Sequence, residues 1–343
     1  MLGVVEGVME RDVLEEVSAG ALVVTGAAGA VGAQVVRLGQ AAGFHVVAVD
    51  LPGSEFSETH RPYTQKAGDL TDRRFCRDAT VVVNAAASNL SDGELEHLEA
   101  VNLEAVRWLY EAAEDAGAER FVQISTAALY KPQGGVLDED TETQQTSNYL
   151  ATKGAAEQFL CRQRGGLSWT ILRPSLLYGP RVSSFGAMTL LISPILHLFL
   201  SYPPSLTGGP RNNWVHVEDV ARAVLCVATH PEAAGEIFNV SDEVPLSVGE
   251  ILSATIQAYG LDIGPLLQFP HGLLMSSGRL LDLDLLFKTV SNLCSGLWLR
   301  IVQRYGLTGD LSLTLSRSTL SLHQRRSHHR QHQAQGARLV PPG

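Results

Sequence analysis

The chain has 343 residues, 45% of them hydrophobic, and a formal net charge of −10 at pH 7. That length allows one large α/β domain, or one with a smaller appended lobe, and the acidic balance excludes a nucleic-acid binder, which needs a basic face. The four cysteines, Cys76, Cys161, Cys226 and Cys294, stand far apart in no metal-ligand spacing, and no uninterrupted apolar run reaches the length of a membrane span, so a reduced, cytoplasmic protein is expected.

The first residues are acidic (Glu6, Glu10, Asp12, Glu15, Glu16) and lack the basic start and apolar core of a signal peptide, so none is expected. Val8, Val13, Leu14 and Val17 fall at helical spacing and predict a short helical extension over 1–18. An apolar run, Ala21–Thr25, then leads into Gly26-Ala27-Ala28-Gly29-Ala30-Val31-Gly32 and a helical stretch with Val31, Val35 and Leu38 on one face. A strand, a glycine turn and a helix in that order make a phosphate site: glycines let backbone approach backbone, and the unpaired N–H groups opening the helix attract a dinucleotide pyrophosphate. A second strand-like run, Phe44–Val49, ends at Asp50, where an acid grips the adenosine ribose. A carboxylate there repels a 2′-phosphate, which favours NAD over NADP.

Further strand-like runs follow at Thr80–Asn84, Arg120–Ser125, Trp169–Arg173 and Glu236–Val240, with helical stretches at Leu95–Gly117 and Asn148–Gln163 between them. Strands alternating with helices predict a parallel sheet covered on both faces. After Pro174 the rhythm changes. Ala187–Leu200 is apolar, a Pro/Gly-rich loop follows, Val217–Thr229 reads as a helix, and Ser247-Val248-Gly249-Glu250 has capping-box spacing before a helix at Ile251–Tyr259. From about Leu311 the chain is rich in Ser, Arg, His and Gln without apolar periodicity; a solvated, disordered tail is expected, in which His328, His329 and His332 bind metal only adventitiously.

Tyr149 and Lys153 stand four apart in a predicted helix and so project from one face. A nearby ammonium favours phenolate and brings a Tyr proton closer to working pH. Any helix can offer such a pair on its surface. Two features point to chemistry here: the pair follows the strand ending Ile124-Ser125-Thr126, and it lies where a second mononucleotide-binding half belongs. A hydroxyl at that strand end either holds a substrate oxygen or caps a turn.

In its motifs the chain resembles the extended short-chain dehydrogenase/reductase superfamily, often labelled NAD-dependent epimerase/dehydratase. The segments carrying the resemblance are Thr25–Gly32, Asp50, Gly68-Asp69-Leu70, Asn84-Ala85-Ala86-Ala87, Val101-Asn102, Ser125–Tyr130, Tyr149–Lys153, Arg173–Pro180 and Trp214–Ala221, in the family's order over residues 19–260. The resemblance implies a Rossmann doubly wound parallel sheet over 19–180 and a smaller C-terminal substrate lobe over 181–310 with elements returning to the sheet; the composition alone sets off the disordered tail over 311–343. It assigns Gly26, Gly29, Ala30, Val31 and Gly32 to the pyrophosphate of NAD and Asp50 to the adenosine ribose. Asp69 and Leu70 lie beside the adenine, and Ala85, Ala86 and Pro174 line the cofactor. Tyr149 is the implied general acid and base, Lys153 binds the nicotinamide ribose and lowers the Tyr pKa, and Thr126 takes the catalytic Ser/Thr position. Asn102, His216 and Asp219 read as structural. Asn84 stands where the family often has His.

Within the family the nearer branch is that of 3β-hydroxysteroid dehydrogenases and dihydroflavonol reductases, so a hydride transfer between NAD and a secondary alcohol or ketone is expected. The alternatives are a sugar-nucleotide epimerase and a non-catalytic NAD-binding sensor or scaffold. Ala127 and Ala128 stand where a dehydratase carries extra acids beside Thr126, and Arg211 is one position off the Arg that binds nucleotide phosphate in galactose epimerases. The partners expected are a small-molecule substrate, a second copy in a homodimer, and a weak membrane-surface contact through Ala187–Leu200, with no nucleic acid.

Overall fold

The computed structural model describes residues 20–56, 64–68, 72–88, 95–133, 135–182, 205–209, 211–258, 260 and 264–268, with a few positions between 296 and 303. The helical extension, Asp69 and Leu70, Ala187–Leu200 and the tail lie outside the described residues. The chain divides into two compact units. One comprises Met1–Lys131, Leu137–Ser175 and Val215–Val240; the other comprises Pro132–Val136, Leu176–Trp214 and Ser241–Gly343.

The first unit is built on seven strands: β1 (Ala21–Thr25), β2 (His45–Asp50), β3 (Thr64–Ala67), β4 (Ala79–Asn84), β5 (Arg120–Ile124), β6 (Ser168–Pro174) and β11 (Glu236–Val240). They lie in the order β11-β6-β5-β4-β1-β2-β3, and every pairing is parallel. The inner strands are continuous apolar runs because both faces are covered; Leu22, Val23, Val24, Val82 and Val83 are fully buried. On one face, Val23, Val49, Val82, Phe121 and Ile171 meet Val106, Leu109 and Tyr110 of α3 (Ala105–Asp115) and Ala156 and Leu160 of α4 (Asn148–Cys161). Tyr110 sits there edge-on to Phe121 and Phe159, its hydroxyl donating to the Leu167 carbonyl at 2.8 Å. Elsewhere α1 (Ala30–Ala41) packs on α5 (Val217–Thr229), tied by Arg37 to Glu218 at 2.8 Å.

The chain leaves β1 outward to β2 and β3, then crosses back to β4 on the other side of β1. That reversal opens a crevice at the carboxyl ends of β1 and β4, the place where such sheets bind ligands.

Two elements differ from the sequence expectation. The stretch Leu95–Gly117 is not one α-helix: α2 (Leu95–Glu99) passes into a π turn at Ala100–Glu104 before α3 begins. The extra residue turns Asn102 inward, where it is 1% exposed. Strand β3, Thr-Gln-Lys-Ala, carries no apolar run because it is an edge strand.

The chain also forms two short strands, β7 (Leu176–Tyr178) and β10 (Trp214–His216). In the second unit, β9 (Arg211–Asn212) pairs antiparallel with β12 (Leu246–Ser247), and β8 (Ser205–Thr207) pairs parallel with β13 (Leu266–Gln268). The capping box is formed at the start of α6 (Val248–Ala258): Ser247 N donates to Glu250 Oε2 at 2.6 Å and Glu250 N to Ser247 Oγ at 3.2 Å. No helix among the described residues is long and apolar enough to cross a membrane.

Candidate active site

The glycine turn joins β1 to α1 at the switch point. Gly26 has φ +65°, and a Cβ on it would lie 2.5 Å from the Ala86 nitrogen and 2.6 Å from its Cα. A Cβ on Gly32 would lie 2.1 Å from the Gly26 carbonyl oxygen. Only glycine lets the turn, the helix and the loop after β4 come this close. Gly29 N donates to Gly26 O and Ala33 N to Gly29 O, each at 3.0 Å. Gly29 caps α1 with extended backbone and no side-chain bond, and the first turn carries no acid. The N–H groups opening α1, from Ala30 and Val31 onward, therefore meet neither a capping side chain nor a carboxylate of their own turn.

Asp50 closes β2 beside this turn. Its Oδ2 accepts from Ala28 N at 2.8 Å, and its Oδ1 from Leu51 N at 2.8 Å and Ser54 Oγ at 2.9 Å. Three donors thus fix the carboxylate at the carboxyl edge of the sheet. Across β4, Ala85 N donates to Thr25 O at 3.1 Å and Ala86 N to Asn84 Oδ1 at 3.2 Å. Asn84 is itself the centre of a buried row: Thr25 Oγ1 donates to its Oδ1 at 2.7 Å and its Nδ2 donates to Gln123 Oε1 at 3.0 Å. This row binds the ends of β1, β4 and β5 together. Its only sequence signal is a polar residue at or next to the end of each apolar strand.

The second half of the site stands on β5, α4 and β6. Ser147 Oγ caps α4 by accepting from Leu150 N at 3.2 Å. One turn in, the Lys153 side chain lies 2% exposed and its Nζ donates to the Ile124 carbonyl at 2.6 Å. Burial lowers its pKa to about 8, against the opposing charge of Glu157. Burial also pushes the Tyr149 phenol up to about 12. That direction is opposite to the one expected from the Tyr–Lys spacing, because the ammonium is drawn onto the strand end and desolvation governs the phenol.

Thr126 is half-buried and its Oγ1 accepts from Ala128 N at 3.1 Å, capping the short turn Ala127–Leu129. A hydroxyl that accepts in this way keeps its proton for donation. Ser125 is committed elsewhere, to Glu157. Pro174 is buried at the end of β6, opposite Val240 of β11. Asn102 holds the loop after β4 from both sides: its Oδ1 accepts from Ser88 N and its Nδ2 donates to Ser88 O, each at 2.9 Å, and Nδ2 also reaches Thr152 Oγ1 of α4 at 3.2 Å. His216 Nδ1 accepts from Glu218 N at 3.3 Å and caps α5, whereas Asp219 lies 3.9 Å from Arg222.

A family model for the NAD dependent epimerase/dehydratase family matches residues 22–241. The chain is 29% identical to a dTDP-glucose 4,6-dehydratase of Streptomyces griseus, over 71% of this chain and 80% of that protein. It is 25% identical to a 3-beta-hydroxysteroid dehydrogenase of Mycolicibacterium neoaurum, over 70% of each. Among solved structures it is similar to the UDP-glucose 4-epimerase of Thermus thermophilus in complex with NAD, with a TM-score of 0.58 and 26% identity over 72% of this chain and 85% of that one. With a glycine cradle that a single Cβ would fill, an uncapped helix start and a carboxylate fixed at the end of the second strand, the residues present fit a dinucleotide, and the chain belongs to the NAD dependent epimerase/dehydratase family.

Proposed function

We propose that this chain is an NAD-dependent oxidoreductase that moves a hydride between nicotinamide and a carbon bearing a secondary hydroxyl or a ketone. The observation that carries the reading is the grip of Lys153 on the Ile124 carbonyl, which brings the Tyr149 helix to the strand end bearing Thr126. When bound, NAD supplies the acceptor and donor of the hydride. In this reading Gly26, Gly29, Ala30, Val31 and Gly32 receive the pyrophosphate and Asp50 the adenosine ribose. Asp69 and Leu70 flank the adenine, and Ala85, Ala86 and Pro174 line the remainder. Tyr149 exchanges the proton with the substrate oxygen, Thr126 donates a hydrogen bond to that oxygen, and Lys153 binds the nicotinamide ribose.

An apolar, sterol-like alcohol is the substrate class that the sequence favours. Ala127 and Ala128 leave no acid beside Thr126 for a dehydration step. Arg211 is taken up by the Pro245 carbonyl at 2.6 Å and by Glu250. The likeness to a dTDP-glucose 4,6-dehydratase favours a second reading, interconversion of a nucleotide sugar on retained NAD.

The purified protein is denatured and the dinucleotide released is quantified by mass spectrometry. Sterol, flavonoid and small secondary alcohols are then offered with NAD, and nucleotide sugars without it. Little retained NAD, with NADH formed from an apolar alcohol, supports the first reading. One NAD per chain and a nucleotide sugar interconverted without net NADH replaces it by the second. A protein that binds no dinucleotide overturns both and leaves a scaffold.

A further inference from the structure

Glu157 is a second buried charged group, beside Lys153, on the face of α4 that carries Tyr149. It lies four residues beyond Lys153, the spacing at which helix side chains meet. Lys153, Glu157 and Arg173 are 2%, 5% and 5% exposed. Arg173, from β6, grips the carboxylate with both arms: Nε to Oε1 at 3.1 Å and Nη2 to Oε2 at 2.7 Å. The Ser125 hydroxyl donates to the same Oε1. Arg173 Nη1 continues to the Tyr130 hydroxyl at 2.9 Å and the Glu139 carbonyl at 3.2 Å, and Tyr130 donates to Asn239 Oδ1 at 2.6 Å.

The carboxylate thus takes the Arg173 guanidinium and the Ser125 hydroxyl directly, and lies one helical turn from Lys153 without pairing with it. A buried ion pair is weak evidence for stability, since apolar residues of similar volume often do as well. What an apolar residue cannot do is bind Ser125 or face Lys153 with charge. Lys153 holds residue 124 of the strand end and Glu157 holds residue 125, so α4 fastens β5 at two adjacent points just before Thr126.

We propose that Glu157 is a positioning residue for the Tyr149, Lys153 and Thr126 group: through Ser125 it fixes the strand end that carries Thr126, and its negative charge, one helical turn away, favours the Lys153 ammonium. The inference rests on the functional reading above for the roles of those three residues. Charge acts in the required sense, since Glu157 opposes the lowering that burial imposes on Lys153, and its hydrogen bond and charge outweigh burial to raise Arg173. The other titratable groups around Lys153 and Glu157 are Tyr149 and Cys161 on their own helix, Arg173 on β6, and Tyr130 and Glu139 between β5 and α4. On the elements packed against α4, Glu96, His97, Glu99, Glu111 and Glu114 are exposed, and Glu104 pairs with Arg107.

The chain has only four lysines, Lys66, Lys131, Lys153 and Lys288, so the Lys153 ammonium can be titrated directly. The full chain is labelled with lysine carrying 13C at Cε, and the Lys153 resonance is assigned by its loss in Lys153→Arg. The wild-type midpoint is expected near 8, falling by about one unit in Glu157→Gln. That variant strands Arg173, so Glu157→Gln with Arg173→Met removes both partners together and keeps the test available if the single variant does not fold. Glu157→Asp, which retains the charge, is expected to keep the midpoint closer to wild type than Glu157→Gln does. The alkaline loss of NAD affinity, followed by titration calorimetry, moves down with the lysine in the neutral variants. A Lys153 midpoint unchanged in folded Glu157→Gln, or unchanged in the double variant relative to Arg173→Met alone, overturns the inference. Neither readout needs a substrate, so a failure of the functional reading shows separately, as absent turnover in the unmodified protein.

Discussion

Burial lowers the Lys153 ammonium from 10.5 to about 8, so between those values the unfolded chain holds more protons than the folded one. Stability linked to Lys153 is therefore lowest below pH 8, by about 3 kcal/mol, and is recovered as the pH rises to 10.5. Tyr149 acts with the opposite sign: raised from 10.0 to about 12, it lends stability that is present below pH 10 and lost toward 12. Urea unfolding of wild type and Lys153→Met at about pH 7.5 and about pH 10 isolates the lysine, and wild type should gain about 2 kcal/mol on the variant over that interval. A difference independent of pH would mean that the ammonium is solvated. Tyr149→Phe tests the chemistry: turnover should fall by about 10²–10⁴ while NAD affinity stays at the wild-type value, and joint loss of both would remove the acid–base role. The Tyr–Lys pair was legible because helix spacing is local. The row Thr25, Asn84 and Gln123 was not, since those residues meet only through the order of β1, β4 and β5. Nor could spacing alone foresee that Ser125 bonds Glu157 while Thr126 caps the turn that follows.

At the scale of elements, what is written in a local pattern was readable and what depends on a distant partner was not. The box at Ser247 and Glu250 forms as its spacing requires. The amphipathic run Leu95–Gly117 conceals a π turn, because one extra residue in a turn leaves the outer polar face intact while rotating Asn102 inward. That rotation links two parts of the site, the Ser88 backbone after β4 and Thr152 on α4. Asn102→Ala leaves the Ser88 N–H and C=O without their partner, a loss of about 2 kcal/mol in urea unfolding. It should also weaken NAD binding, because the loop bearing Ala85 and Ala86 loses its anchor. Amide exchange reports the mechanism: the Ser88 N–H should lose protection in the variant, and an unchanged rate at that amide would show that the loop is held by other contacts.

For the whole molecule, the alternation of strand and helix was enough to foresee a parallel sheet, and the outward-then-back path of the chain places its crevice beside β1 and β4. The pairing of β11 with β6 was beyond reach, because an apolar run states that it will be buried and not beside which neighbour. The molecule's charge gives this crevice a testable character. NAD is an anion and the chain carries −10, so at long range the protein repels its own cofactor. Residues 21–36, which form β1, the turn and the first half of α1, contain no Lys or Arg, and Arg37 is paired with Glu218. Within this turn, attraction for the pyrophosphate comes from neutral backbone donors at short range. The Debye length shrinks from about 8 Å at physiological ionic strength to about 3 Å at 1 M, so added salt removes the repulsion and leaves those hydrogen bonds in place. Calorimetric titration with NAD in about 0.05 M and about 0.5 M sodium chloride should give equal affinity or a gain of up to about threefold at the higher salt. A tenfold weakening would show that cationic side chains, and not the glycine turn and the opening N–H groups of α1, hold the pyrophosphate.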